Sequence, residues 1–82
     1  MAEGTLTVNA VNLKFSTVNE IQEFVWTIMD YNGDTDVVQG RKSVDAKSIL
    51  GVCSLDMQEH MELRVHNGNF EQLKSKISKF IK

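Results

Sequence analysis

The chain has 82 residues, 41% of them apolar and 24% charged, with no proline, one cysteine and a formal charge of −2. That length predicts one domain over residues 1–82 around a small core. It leaves little room for a deep catalytic cleft, so a binding, carrier or regulatory module is expected rather than an enzyme. A single cysteine excludes an internal disulfide and a cysteine-only zinc site, which fits a reducing cytosol. No apolar run approaches the roughly 20 residues of a membrane span. The opening Met-Ala-Glu-Gly has neither the basic nor the apolar region of a signal peptide. A cytoplasmic protein without a membrane partner is therefore expected.

Taken in chain order, Thr5 to Val11 alternates and predicts a half-buried strand, with Leu6, Val8 and Ala10 on one face and Thr5, Thr7 and Asn9 on the other. Val18 to Tyr31 carries apolar residues at Val18, Ile21, Phe24, Val25, Ile28 and Met29, the spacing of an amphipathic helix. Thr17-Val18-Asn19-Glu20 ahead of it reads as a capping box, with Glu20 reaching back to the Thr17 N–H. Asn32-Gly33 marks the stop. Asp34 to Gln39 and Lys42 to Val44 flank Gly40-Arg41 and predict a hairpin. Ser48 to Cys53 reads as a short helical turn ended by its own glycine and the polar residues beyond. Met61 to His66 alternates as a strand. Asn69 to Lys82 predicts a closing helix with Phe70, Leu73, Ile77, Phe80 and Ile81 inward, and Lys74, Lys76, Lys79 and Lys82 toward the end favoured by the helix dipole. This order of half-apolar strands and helices predicts an α+β open-faced sandwich: a four-stranded antiparallel sheet with three helices on one face.

Charge is divided unevenly. Residues 1–40 hold six acids and one base, and residues 41–82 hold eight bases and five acids, or −5 and +3. The halves read either as two solvated helix faces or as a bipolar surface that orients a partner. With no basic patch interleaved with aromatics, direct nucleic-acid binding is not expected.

Few residues offer chemistry of their own. His60, His66 and Cys53 are too scattered for a metal motif, and His66 shares its strand parity with Arg64, which points it outward. Neither a metal nor a cofactor is expected. Cys53 lies on an apolar turn and reads as a small packed hydrophobe. No Ser/His/Asp set or glycine-rich phosphate loop is present. Ser48 precedes a short apolar helix. It reads first as an N-cap. A phosphate there would also meet free amides and a favourable dipole, with Lys47 adding a positive charge, so a modification site is the second reading.

The stretch Lys42 to Leu55 strongly resembles the second-helix region of the bacterial histidine-containing phosphocarrier protein, HPr. The family pattern around its regulatory serine stands here as Lys47-Ser48-Ile49-Leu50-Gly51-Val52. The resemblance extends without gaps from about Leu6 to the closing helix and takes in Tyr31 and Gly68. It implies the HPr-like sandwich already read from the pattern. It also implies phosphorylation of Ser48 by an HPr kinase/phosphorylase, with Lys47, Ile49, Leu50 and Cys53 around it as a docking patch. The partner so implied is a catabolite control transcription factor or other phosphotransferase proteins.

The family's phosphocarrier motif, Gly-Xaa-His-Xaa-Arg-Pro, is replaced by Phe15-Ser16-Thr17-Val18-Asn19-Glu20. Thr17 stands for the histidine, Asn19 for the arginine and Glu20 for the proline. A threonine hydroxyl would form a stable ester in place of a labile phosphoramidate, and Glu20 would repel an incoming phosphate. In this respect the chain resembles the histidine-less HPr homologue of catabolite repression. A regulatory module switched at Ser48 is the expectation. The alternatives are a phosphocarrier in sugar uptake and an unphosphorylated decoy or scaffold for phosphotransferase proteins.

Overall fold

Four apolar residues at helical spacing organise the architecture. In the computed structural model, which describes residues 9–82, helix α1 (Val18–Met29) buries Ile21, Phe24, Val25 and Ile28. Each such side chain contributes about 1.5–3 kcal/mol when fully removed from water. They pack on a four-stranded antiparallel sheet of β1 (Asn9–Leu13), β2 (Thr35–Gln39), β3 (Lys42–Asp45) and β4 (Met61–Val65), ordered β1-β4-β2-β3. The register aligns Val11, Leu63, Val37 and Val44 in one row across all four strands. The core side of the sheet also carries Leu13, Met61 and Val65. Helices α2 (Ile49–Cys53) and α3 (Phe70–Lys76) complete the layer, followed by a 3-10 turn at Ser78–Phe80. This is the α+β open-faced sandwich expected from the sequence.

Turn chemistry sets the connections. Gln39 pairs with Lys42 around Gly40-Arg41, and Gly40 has φ +59°. A positive φ at the first central residue is what a tight II′ hairpin turn requires, and glycine adopts it without strain. The β4–α3 turn is locked onto the α1–β2 turn. Tyr31 Oη–H donates to the Asn67 carbonyl at 2.6 Å, and the Asp34 N–H donates to Asn67 Oδ1 at 2.8 Å. Desolvation pushes the Tyr31 phenol above its ordinary value, which keeps that donor protonated. Gly68 has φ +89°, and a Cβ there would stand 2.5 Å from Tyr31 Oη. Any side chain at Gly68 would be strained and would break the lock.

Several expectations need correction. The inward positions of β1 are Val11 and Leu13, while Ala10 is exposed; Leu6 and Val8 lie outside the described residues. Val18 and Met29 are half-exposed and do not belong to the buried stripe of α1. That helix ends at Met29 with Asp30 as its cap, ahead of Asn32-Gly33. Gly51 lies inside α2 and does not end it. The closing helix breaks at Ile77, where Phe80 turns inward and Ile81 bridges to Leu13. Phe70 and Ile81 are half-buried and pack against the core.

Phe24→Ala removes the ring at the centre of this layer and should cost about 3–5 kcal/mol. That is close to the whole stability of a small domain, about 5 kcal/mol. The variant should show an unfolded circular-dichroism spectrum, whereas Trp26→Ala, on the exposed side of the same helix, should change the unfolding free energy from urea denaturation by about 0.5 kcal/mol or less.

Candidate functional site

The site is the shared edge of α1 and α2, which pack against each other. Thr17 caps α1 in an extended conformation (φ −144°, ψ 162°). The Glu20 N–H donates to Thr17 Oγ1 at 3.2 Å, and the Ser16 N–H donates to Glu20 Oε1 at 2.6 Å. The box therefore closes as expected in kind but one residue earlier: Glu20 reaches Ser16, not Thr17. Both partners satisfy amides that a helix start leaves open. The Thr17 side chain, exposed to solvent, acts as a hydrogen-bond acceptor for the backbone, and Asn19 is exposed on the first turn.

Ser48 repeats the device on α2. Its Oγ accepts from the Gly51 N–H at 3.0 Å, and its own N–H donates to the Asp45 carbonyl at 3.0 Å. Gly51 is present because of close approach: a Cβ there would lie 3.2 Å from both Ser48 Oγ and Val44 Cβ. The glycine thus lets α2 sit tightly on β3 with the serine folded over its first turn. Ser48 is half-buried.

The other residues expected around Ser48 separate into two groups. Leu50 projects into solvent with 86% of its surface exposed, and Cys53 is also exposed. This corrects the reading of Cys53 as a packed hydrophobe. Ile49 is half-buried and rests on the core, with Val52 fully buried below. Lys47 does not reach out beside the serine. Its Nζ donates to the Tyr31 carbonyl at 2.6 Å, at the C-terminal end of α1, where a cation meets the negative end of the helix dipole.

The histidines lie elsewhere. His66 Nε2 pairs with Asp36 Oδ2 at 2.8 Å on the outward side of the sheet, opposite the helices. His60 precedes β4 in an exposed loop. Among the described residues, no group of three or more His, Cys, Asp and Glu could hold a metal, and no helix is long and apolar enough to cross a membrane.

Three apolar side chains of α1 are exposed near this edge. Trp26 is 60% exposed on α1, with Met29 at 50% and Val18 at 49%. The sequence signal is a large aromatic eight residues after Val18, off the buried stripe.

A scan against protein-family models finds no match, and a search of the curated proteins finds none either. Among solved structures, the chain is similar to a phosphocarrier protein HPr from Bacillus anthracis str. Ames, with a TM-score of 0.72 and 16% identity over 92% of this chain and 98% of that one. The fold is therefore that of HPr.

If the Thr17 hydroxyl serves as a cap, Thr17→Ala should lower stability by about 1 kcal/mol and Thr17→Ser by only a few tenths. Urea denaturation of the three proteins checks this. Equal midpoints for Thr17→Ala and the parent chain would show that the hydroxyl does not cap.

Proposed function

We propose that this chain is an HPr-like regulatory module of the phosphoenolpyruvate-dependent sugar phosphotransferase system, modified on Ser48 and acting through the α1–α2 edge. The observation that carries the reading is the contrast between its two helix caps. At the start of α1, Thr17, Asn19 and Glu20 occupy the place where the HPr motif has histidine, arginine and proline, and the Glu20 N–H donates to Thr17 Oγ1 while its carboxylate accepts from the Ser16 N–H. At Ser48 the Lys-Ser-Xaa-Xaa-Gly-Val block is complete, and the exposed Leu50 and Cys53 stand beside it.

A phosphate on Ser48 adds about −1.5 to −2 charges at the start of α2. It displaces the Oγ–Gly51 hydrogen bond and offers its own oxygens to the same amide. The apolar side chains beside it supply area for a partner, and the new charge supplies the switch. The modifying enzyme is an HPr kinase/phosphorylase in this reading. The partner is a catabolite control transcription factor or another phosphotransferase protein, and the setting is the cytoplasm. The protein itself touches no nucleic acid.

A second reading is a decoy or scaffold that binds phosphotransferase proteins without modification. It is favoured by one observation: Leu50 is already exposed with Ser48 unmodified, while Lys47 is turned to the Tyr31 carbonyl. Transfer through a phosphohistidine is the weakest alternative, because no histidine stands on α1.

Incubation with an HPr kinase and ATP should add about 80 Da, one phosphate, to the parent chain and nothing to Ser48→Ala. No mass shift, or one that persists in Ser48→Ala, contradicts the proposal. Pull-down of phosphotransferase proteins by the unmodified chain, equal to that by the modified chain, favours the scaffold.

A further inference from the structure

The lock between the α1–β2 and β4–α3 turns runs through one asparagine. Asn67 and Gly68 are both exposed in the turn after β4. The Asn67 side chain meets Asp34 twice: Oδ1 accepts from the Asp34 N–H at 2.8 Å, and Nδ2 donates to Asp34 Oδ2 at 3.3 Å. The Asn67 main-chain carbonyl accepts from Tyr31 Oη–H at 2.6 Å. The packing around it has no slack. A Cβ on Gly33 would overlap that carbonyl oxygen and lie 2.7 Å from Asn67 Oδ1, and the Tyr31 ring stands where a Gly68 Cβ would go.

An asparagine followed by glycine carries a reaction of its own, which is one reason asparagine is thermolabile. The main-chain nitrogen of the next residue can attack the side-chain amide carbon, and glycine has no Cβ to hinder the approach. Among the described residues, the Gly68 N–H donates to no backbone carbonyl, so that nitrogen is not committed to the fold. Ring closure requires the Asn67 side chain and main chain to turn toward each other. The bonds to Asp34 and Tyr31 oppose that movement. Nucleophile and target are thus covalent neighbours, and the lock restrains them.

We propose that Asn67 is a self-deamidation site whose rate is set by opening of the lock. A bond forms between the Gly68 nitrogen and Asn67 Cγ, and the Cγ–Nδ2 bond breaks. Nδ2 leaves as ammonia, carrying the proton that Gly68 gives up. Water then opens the cyclic imide. Addition at Cγ yields aspartate, and addition at the main-chain carbonyl carbon yields isoaspartate, whose main chain runs through Cγ. Neither product restores the lock. Aspartate lacks the Nδ2 donor and sets a second carboxylate against that of Asp34. Isoaspartate inserts a methylene into a turn already in contact with Gly33 and Tyr31. The turn is therefore a one-way switch. It involves neither the α1–α2 edge nor Ser48.

The test incubates the full chain, Tyr31→Phe and Asp34→Ala in mildly alkaline buffer, beside a synthetic peptide of the segment Val65–Lys74. Trypsin releases the same segment from each protein, because Arg64 precedes it and Lys74 ends it. Fragment masses then locate an amide turned to acid at Asn67, and an isoaspartyl methyltransferase reports the isoaspartate. The parent chain should react at Asn67 more slowly than the free peptide. Tyr31→Phe should react about fivefold faster than the parent, the change expected when opening breaks one hydrogen bond fewer. Asp34→Ala, which removes the acceptor for Nδ2, should also react faster. Both variants should keep a folded circular-dichroism spectrum. The modified parent, separated by its added negative charge, should unfold at lower urea than the unmodified chain.

No reaction at Asn67 in any of the three proteins while the peptide reacts, a parent chain as fast as the peptide, or variants no faster than the parent overturns the proposal. So does acceleration confined to a variant that has lost its folded spectrum, since the opening would then be global. A modified fraction with the urea midpoint of the unmodified chain also overturns it, because the lock would have survived the change.

Discussion

Three phenylalanine rings hold the helices to the sheet and to the chain end. Phe24, fully buried at the middle of α1, meets Phe15 edge-on with centroids 5.2 Å apart and Phe80 with centroids 5.8 Å apart. Phe15 and Phe80 close the triangle at 5.6 Å. Such pairs contribute about 0.5–1.5 kcal/mol each beyond their burial. Their positions matter more than their sum. Phe15 lies two residues before the Thr17 cap, and Phe80 lies in the terminal turn, whose carbonyl accepts from the Lys14 N–H at 2.8 Å. The start of α1 is thereby fixed from both ends of the chain. The Thr17 cap, two residues after Phe15, inherits its placement from that anchor.

The absence of proline acquires a physical meaning from the same cap. In the reading proposed above, Glu20 stands where the HPr motif has proline, which the first turn of a helix tolerates because its amide is free. Here that amide is in use, donating to Thr17 Oγ1, while the Glu20 carboxylate accepts from Ser16. A proline could make neither bond. Cap and carrier motif are therefore alternative solutions for one helix start. This chain has the cap.

Much of the fold was legible in the sequence because periodicity records burial. The α1 core residues, both hairpin strands, β4 and the Ser48 cap stand where spacing and turn residues place them. The misses have separate causes. The parity of β1 was taken from Leu6 and Val8, whereas the described strand is governed by its pairing, Val11 to Leu63 and Leu13 to Met61. The closing helix broke because Ile81 is drawn into a bridge with Leu13, a long-range contact that no local pattern encodes. Lys47 adjoins Ser48 in sequence, and no local pattern shows that its Nζ donates across to the Tyr31 carbonyl. Trp26 falls off the buried stripe, so the periodicity that marks the core says nothing of it.

The chain has the HPr fold, and we propose that it works without phosphohistidine chemistry. The most direct measurement supplies phosphoenolpyruvate and the first enzyme of the phosphotransferase chain and then assays the protein for acid-labile phosphate. This chain should carry none, with an intact HPr labelled under the same conditions. Acid-labile phosphate on His60, His66 or any other residue of this chain would contradict it.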